Sequence, residues 1–469
     1  VSDPALLSLT EVAEQIRSRK LSSVEATQAL LARIAQWQPA LNAFVRIEAD
    51  EALQAARAAD GHLARSGPKG PLHGVPLAHK DMYYFAGKPA GCGSKVRDGW
   101  IADQTSTVIR RLHDEAGAIR LGALNMAEFA YGPTGHNAWH GHARNPWNTA
   151  HITGGSSSGS GAAVAARLTY AALGSDTGGS IRLPAHFCGV SGLKVSYGRV
   201  SRANAMPLSF TLDTVGPLAQ SAEDCALIAG IIFGTDPLDP VTDGAPAWDR
   251  AAAERPAGGL KVGIPKSFYV DDLEPDVAAA LDETKKTLEK LGAKIVSVEL
   301  PDQTAVAAAA LIVIACEATT FHAPWLRTRA DDYTPQVRNR LENGLAYSAI
   351  EYLEALRWRG PALAAHLAAI GDVDVVLAPA SRAAAPTIEE TDVGGGTNAE
   401  AVIFALTRFM RPINYLGLPV LSAPAGHSAS GLPIGMQFIG RPFGDETVVA
   451  LGRAFQKVTD AHRRVPQLS

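Results

Sequence analysis

Apolar positions recur at helical spacing through the first part of the chain, and residues from about 8 to 65 read as helices. In SSVEATQALLARIAQW, Val24, Thr27, Leu30, Leu31 and Ile34 share one face, and Ser22 or Ser23 is placed to cap the start. Beyond residue 70 the pattern changes to short apolar runs between helical stretches. VPLAHK (75–80), AIRLGALN (118–125), YAALGSD (170–176) and LKVGIP (260–265) read as short buried strands, and KIVSVEL (294–300) and DVVLAPA (374–380) return to strand. A helix from about 276 to 291 carries Val277, Leu281, Thr284, Leu288 and Leu291 as its stripe and stops at Gly292. PVLSAPAG (419–426) and PIGMQFIG (433–440), with Ser430-Gly431 between them, read as a hairpin. AVAAAALIVIAC (305–316) is too short and too rich in alanine to span a bilayer and reads as a buried helix. The stretches 236–259 and 382–400, the second containing GGGTN, read as surface loops.

This alternation predicts an α/β fold: one α/β/α sandwich around a large central sheet, mixed but mostly parallel, covered by helices. Composition narrows the function. Forty-three Lys and Arg against 47 Asp and Glu give a net charge of -4, with no long basic run, so nucleic acid is not an expected partner. Nor is a membrane. Cys92, Cys188, Cys225 and Cys316 are widely spaced, which argues against a disulfide framework or a zinc site and for a reducing cytoplasm. The first residues lack the basic and apolar regions of a signal peptide.

Two segments carry the candidate chemistry. In TGGSSSGSGAAVAA (153–166) glycines and serines crowd a loop that enters an alanine-rich helix. Glycine lets the backbone approach a ligand closely, and a helix start favours negative charge. In GSDTGGSIRLP (174–184) a strand ends in two glycines before Ser180, a turn able to present successive N–H groups to an oxyanion. A serine needs a base, and neither segment has a His–Asp pair beside it. Lys80, closing an apolar strand in LAHKDM, becomes a neutral base if burial lowers its pKa.

HGVPLAHKDM, GGSSSGSGAAVAA, LGSDTGGSIRLPAHFCGVSGLK and LGLPVLSAPAG…GLPIGMQFIGRPF resemble successive blocks of the amidase-signature family, in that family's order, from about residue 70 to 457. The resemblance implies a Ser-cisSer-Lys site: Lys80 as base, Ser156 after a cis Gly155–Ser156 bond as relay, and Ser180 as nucleophile. It places the oxyanion hole on the amides of Thr177, Gly178, Gly179 and Ser180, and gives Ser157 a supporting bond to the lysine. Many members have glycine where this chain has Ser158. It further implies a single domain over 1–469, with a helical part (1–65), a catalytic core (70–235), a variable substrate side (236–400) and a return to the core (401–469). Expected substrates are small amides, with aryl esters and carbamates (urethanes) beside them; the other setting is the amidase (glutaminase) subunit of a tRNA-dependent amidotransferase. No cofactor or metal is implied, and a homodimer is the candidate assembly.

Other features compete. Gly155-Ser156-Ser157-Ser158-Gly159 fits a nucleophile elbow centred on Ser157 but lacks a good preceding strand, and Ser191…Lys194 fits S-x-x-K without its companion motifs. His136, His140, His142 and His151 lie close in sequence but in a Gly-, Pro- and Asn-rich stretch without a carboxylate, favouring a loop over a metal site. Asp176 and Arg182 read as a buried pair holding the turn before Ser180, Asn414 as structural, and Cys188 as core. Phe210, Phe321, Trp325, Tyr347, Trp358 and Phe409 are candidates for pocket walls or core.

Overall fold

The structure, a computed structural model, describes residues 3–394, 396 and 398–468. Three helices open the chain: Leu9–Arg17, Ser23–Leu41 and Ala49–Ser66. Ser22 is the cap of the second: its Oγ accepts the Glu25 N–H at 3.1 Å while Glu25 accepts from the Ser22 N–H at 2.8 Å. Among the described residues eleven strands run in the order β1 (Phe44–Ile47), β2 (Pro76–Lys80), β3 (Ile119–Leu124), β4 (Ala171–Asp176), β5 (Ser191–Lys194), β6 (Thr214–Ala219), β7 (Lys261–Pro265), β8 (Lys294–Val298), β9 (Val375–Pro379), β10 (Val420–His427) and β11 (Pro433–Gly440). They form a three-stranded sheet, β1-β3-β2, and an eight-stranded sheet, β4-β6-β5-β10-β11-β9-β7-β8.

The large sheet is mixed, as expected, but it is not mostly parallel. Only β7–β8 and β7–β9 pair parallel; β4–β6, β5–β6, β5–β10, β10–β11 and β11–β9 are antiparallel. Uninterrupted apolar strands report burial on both faces, which is usual for parallel sheets but not confined to them. Here both faces of the antiparallel centre are covered. Ser422 of β10 meets the carbonyl of Arg182, on the helix Arg182–Cys188. Leu421, pointing the other way, lies where a side chain on Gly452 of the helix Asp445–Lys457 would collide with it.

The hairpin β10–β11 and the helix Pro275–Lys290 lie where the pattern placed them. The sequence pattern did not reveal β1, β5 or β6. The third contains Gly216 and Pro217, yet pairs in register with Gly174 and Leu173; Gly216 is needed because a Cβ there would sit 2.0 Å from the Leu193 carbonyl oxygen. The expected loops hold short helices, Arg250–Ala253, Ile388–Thr391 and the start of Ala399–Thr407; of GGGTN, residues 395 and 397 lie outside the described residues.

The apolar run at 305–316 belongs to a longer helix, Gln303–Arg329. By length and composition it is the one described helix able to cross a membrane, but it packs against the helices Ala349–Ile370 and Arg411–Leu416 and carries buried Glu317 and His322.

The two sheets meet where β2 packs beside β4. Leu173 N–H donates to His79 Nδ1 at 3.1 Å and Ala78 N–H to Thr169 Oγ1 at 3.1 Å. The last residues of both strands, Lys80 and Ser175-Asp176, are thereby brought together.

Candidate active site

Lys80 is 1% exposed, and its Nζ lies 2.7 Å from Ser156 Oγ and 2.9 Å from Ser175 Oγ. Burial brings the amine down to about 7, against the opposing pull of Asp213 and Asp176. Ser156 is reached through a tight loop. Gly154 has φ of +73°, in the left-handed region, and a Cβ there would stand 2.9 Å from the carbonyl carbon of Leu183. A Cβ on Gly155 would stand 2.5 Å from both the Gly132 carbonyl oxygen and the Gly135 nitrogen. The Gly155–Ser156 peptide bond is cis.

Ser180 sits across from this loop, tied to it by the Ser157 N–H, which donates to the Ser180 carbonyl at 3.4 Å. It is the most exposed of the three side chains, at 9%. Among the described residues no hydrogen bond joins the Ser156 and Ser180 hydroxyls.

The turn before Ser180 is held by Asp176, which accepts from the N–H groups of Gly179 (2.9 Å), Ile181 (3.1 Å) and Arg182 (3.3 Å) and from Arg182 Nε and Nη2, both at 3.1 Å. Asn414 Nδ2 adds a bond at 2.8 Å. Arg182 also donates to Gln437 Oε1 (2.8 Å), Asn414 Oδ1 (2.6 Å) and the Met410 carbonyl (3.1 Å). Burial opposes ionisation of Asp176, but Arg182 first, then Lys194 and Asn414, hold its carboxyl well below the usual range. Because the Gly179 N–H is turned inward to Asp176, the fan of amides left without a protein acceptor among the described residues is Thr177, Gly178 and Ser180. The expected fan of four is thus corrected to three. Gly179 has φ of +116° and packs under Met410.

The amidase family model matches residues 25–449. The chain belongs to the amidase family, whose signature motifs its sequence carries. It is 38% identical to a glutamyl-tRNA(Gln) amidotransferase subunit of Geobacter metallireducens, with 97% of this chain and 98% of that protein covered. Among solved structures it resembles one described as a vestigial protein complex revealing the origins of an s-triazine catabolic enzyme (34% identity, TM-score 0.89, 99% and 100% covered). It also resembles the peptide amidase of Stenotrophomonas maltophilia (30% identity, TM-score 0.86, 98% of each chain).

Within this amidase fold several expectations change. Ser157 does not reach the lysine: its Oγ pairs with the backbone N–H and carbonyl of Ser175 at 3.4 Å each. The second hydroxyl on Lys80 is that of Ser175, which sequence reasoning missed; its signal was its place, next to last on the strand that leads to the Ser180 turn. Asp213 was missed too. It accepts from Thr177 Oγ1 at 2.5 Å and from the N–H groups of Leu208 and Ser209. Ser158 Oγ is buried and has no hydrogen-bond partner among the described residues. Asn414 and Arg182 fall in one network, and Cys188 is core.

The S-x-x-K pair lies in β5, where Lys194 Nζ donates to the carbonyls of Val195 (3.0 Å) and Leu418 (2.7 Å) rather than to Ser191. His136 and His142 pack ring to ring, centroids 4.4 Å apart, whereas His151 bonds the Ala385 carbonyl. Of the aromatic candidates, Tyr347 lines a cavity of about 210 Å³ beside the Ser180 turn, and Phe210 lines a second one containing Ser175 and Asp213. Phe409 is core against Tyr269, and Trp325 stacks on Phe129.

Proposed function

We propose that this chain is an amidohydrolase that cleaves the C–N bond of small non-peptide amides through an acyl-enzyme on Ser180. The observation that supports this most is the buried Lys80 amine in contact with the Ser156 and Ser175 hydroxyls, brought by burial to about 7. A neutral amine has two N–H groups and one lone pair. In this reading one N–H goes to Ser175 Oγ and the lone pair takes the Ser156 proton. Ser156 in turn takes the proton of Ser180, whose oxygen attacks the carbonyl carbon. The amides of Thr177, Gly178 and Ser180 receive the oxyanion. The proton returns through Ser156 to the leaving nitrogen as the C–N bond breaks, and water releases the acyl group by the same route. Rotation of the Ser180 side chain, or one intervening water, closes the link between the two hydroxyls; such bonds are often long before a substrate is held. Asp176 and Arg182 fix the turn, and Ser157 holds Ser175. The scheme uses no metal or cofactor.

Aryl esters and carbamates present the same planar carbonyl and a heteroatom leaving group, and belong to the substrate range of this reading. A panel of p-nitroanilides, p-nitrophenyl esters, primary amides and aryl carbamates tests it: Ser180→Ala is expected to lose all turnover. Near-wild-type amide hydrolysis by that variant overturns the assignment.

A second setting for the same chemistry is the amidase (glutaminase) subunit of a tRNA-dependent amidotransferase, acting with partner proteins. The curated relative matched over nearly the whole chain is named as a subunit of such an enzyme and so favours this setting over a free-standing one. Glutamine hydrolysis appearing only in a complex supports it; turnover of non-glutamine amides by the isolated chain opposes it.

A further inference from the structure

The two sheets meet edge to edge. β4 ends the order of the large sheet and β2 that of the small one, and no backbone ladder joins them among the described residues. A buried edge carries N–H and C=O groups that need partners, and here side chains supply them. Ala78 N–H donates to Thr169 Oγ1 at 3.1 Å, Leu173 N–H to His79 Nδ1 at 3.1 Å, and Tyr83 Oη to the Gly174 carbonyl at 2.5 Å. The contact of Lys80 Nζ with Ser175 Oγ at 2.9 Å is the next link of the same seam.

His79 precedes Lys80 on β2, so its ring points to the opposite face, away from the reacting groups. It is 3% exposed, and its partners fix its hydrogens. The Leu173 N–H can only donate, so Nδ1 of His79 carries the lone pair and Nε2 the hydrogen. That Nε2 lies 2.8 Å from Nε2 of His113, whose Nδ1 lies 3.1 Å from the Ala118 carbonyl. The carbonyl can only accept, so His113 is protonated on Nδ1 and receives from His79 on Nε2. One directed chain therefore runs from the Leu173 N–H through both rings to the Ala118 carbonyl, with main chain at each end. The rings meet at 90°, centroids 5.1 Å apart. A further proton on either ring would set two N–H groups against each other. Burial first, then His113 and Arg120, hold His79 well below the usual histidine range; burial and then Arg120 bring His113 down to about 3, against the pull of the Ala118 carbonyl.

We infer that His79, backed by His113, is a positioning residue for the lysine base: by holding the β4 edge at Leu173 it fixes the reach of Lys80 to Ser175 and Ser156. Leu173 lies two residues before Ser175, and His79 adjoins Lys80, so this bond is the clamp nearest the contact on the β2 side. Without its acceptor the Leu173 N–H is buried and unpaired, and the edge must shift or admit water beside the lysine. The effect on rate rests on the amidohydrolase reading; the clamp itself rests on the seam.

Steady-state rates well below each variant's melting point test this. His79→Leu is expected to lower kcat by about 10- to 100-fold with KM within about twofold. Its ascending pH–rate limb is expected to move up from about 7 by about 1 pH unit, because water reaching Lys80 returns part of the cost of burial. His79→Asn offers an amide oxygen in the place of Nδ1 and is expected to restore most of kcat and the midpoint near 7. A His79→Leu enzyme that melts earlier with kcat and midpoint unchanged overturns the inference, and so does His79→Asn performing no better than His79→Leu. Ring-nitrogen NMR of the wild type from pH 5.5 to 9.5 is expected to show His79 protonated on Nε2 and His113 on Nδ1; the opposite tautomers, or an imidazolium in that range, overturn it without any variant. A last arm needs no turnover: the NMR titration of Lys80 in Ser180→Ala, expected to move up when His79→Leu is added. That movement, with no amide hydrolysed by the wild type, keeps the positioning role and removes the amidohydrolase reading. Amide hydrolysis by the wild type, with rate and titration both indifferent to His79→Leu, does the reverse.

Discussion

Lys80 and Lys194 are both buried, and burial brings both to about 7, yet only one faces hydroxyls. Lys194 ties off two carbonyls, whereas Lys80 contacts Ser156 and Ser175. Replacing Lys80 by Ala is expected to lower kcat by about 10²- to 10⁴-fold, the usual worth of a positioned base, and Ser180→Ala by about four orders of magnitude or more. Single-turnover assays on a chromogenic amide check both. Lys194→Met leaves two carbonyls unpaired and is expected to lower stability by about 2–4 kcal/mol in denaturant unfolding, while the midpoint of the pH–rate limb stays where it was. The lysine was legible from its place at the end of an apolar strand beside family motifs. Ser175 was not: nothing in YAALGSD distinguishes its hydroxyl until β4 lies beside β2.

The turn from β4 into the helix Arg182–Cys188 depends on one carboxylate. Asp176 collects three backbone N–H groups, a guanidinium and an amide, and Arg182 carries the network on to Gln437 of β11 and Asn414. Removing either charge strands the other in the core, and Arg182→Met is expected to lower stability by about 3–5 kcal/mol. The cycle with Asp176→Ala should fall well short of additivity. Because the folded-state value of Asp176 is depressed, its contribution is present above the unfolded value of about 3.9 and lost as pH falls through the folded one. Urea midpoints across that range, wild type against the double variant, measure it. In the preceding loop, Gly155→Ala pushes a methyl into the Gly132 carbonyl and the Gly135 nitrogen, both backbone, so the loop must shift. A fall of about 10²-fold in kcat is expected. Eight of the eleven strands among the described residues were readable from their apolar runs, whereas β6 was hidden by its own Gly216 and Pro217; the glycine is there because the Leu193 carbonyl comes so close.

Across the whole molecule, the antiparallel centre of the sheet is buried as deeply as a parallel one, because helices cover it on both faces. That explains why the α/β sandwich was legible and its strand directions were not: burial writes itself into composition, but direction is decided by connections. The helix Gln303–Arg329 is likewise apolar for its neighbours, packing on Arg411–Leu416 and so helping to wall the cavity beside the Ser180 turn.

Catalysis by this route requires Lys80 to be uncharged when it works. Its folded value lies below that of a free lysine, so the unfolded chain holds more protons between about 7 and 10.5, and the amine loses its proton in the folded enzyme as pH rises through about 7. The direct measurement is kcat/KM for one neutral amide from about pH 5.5 to 9.5, a range that brackets the folded value. A single ascending limb with a midpoint near 7 and a plateau above it is predicted; a profile flat across that range, or one that falls through neutral pH, contradicts it.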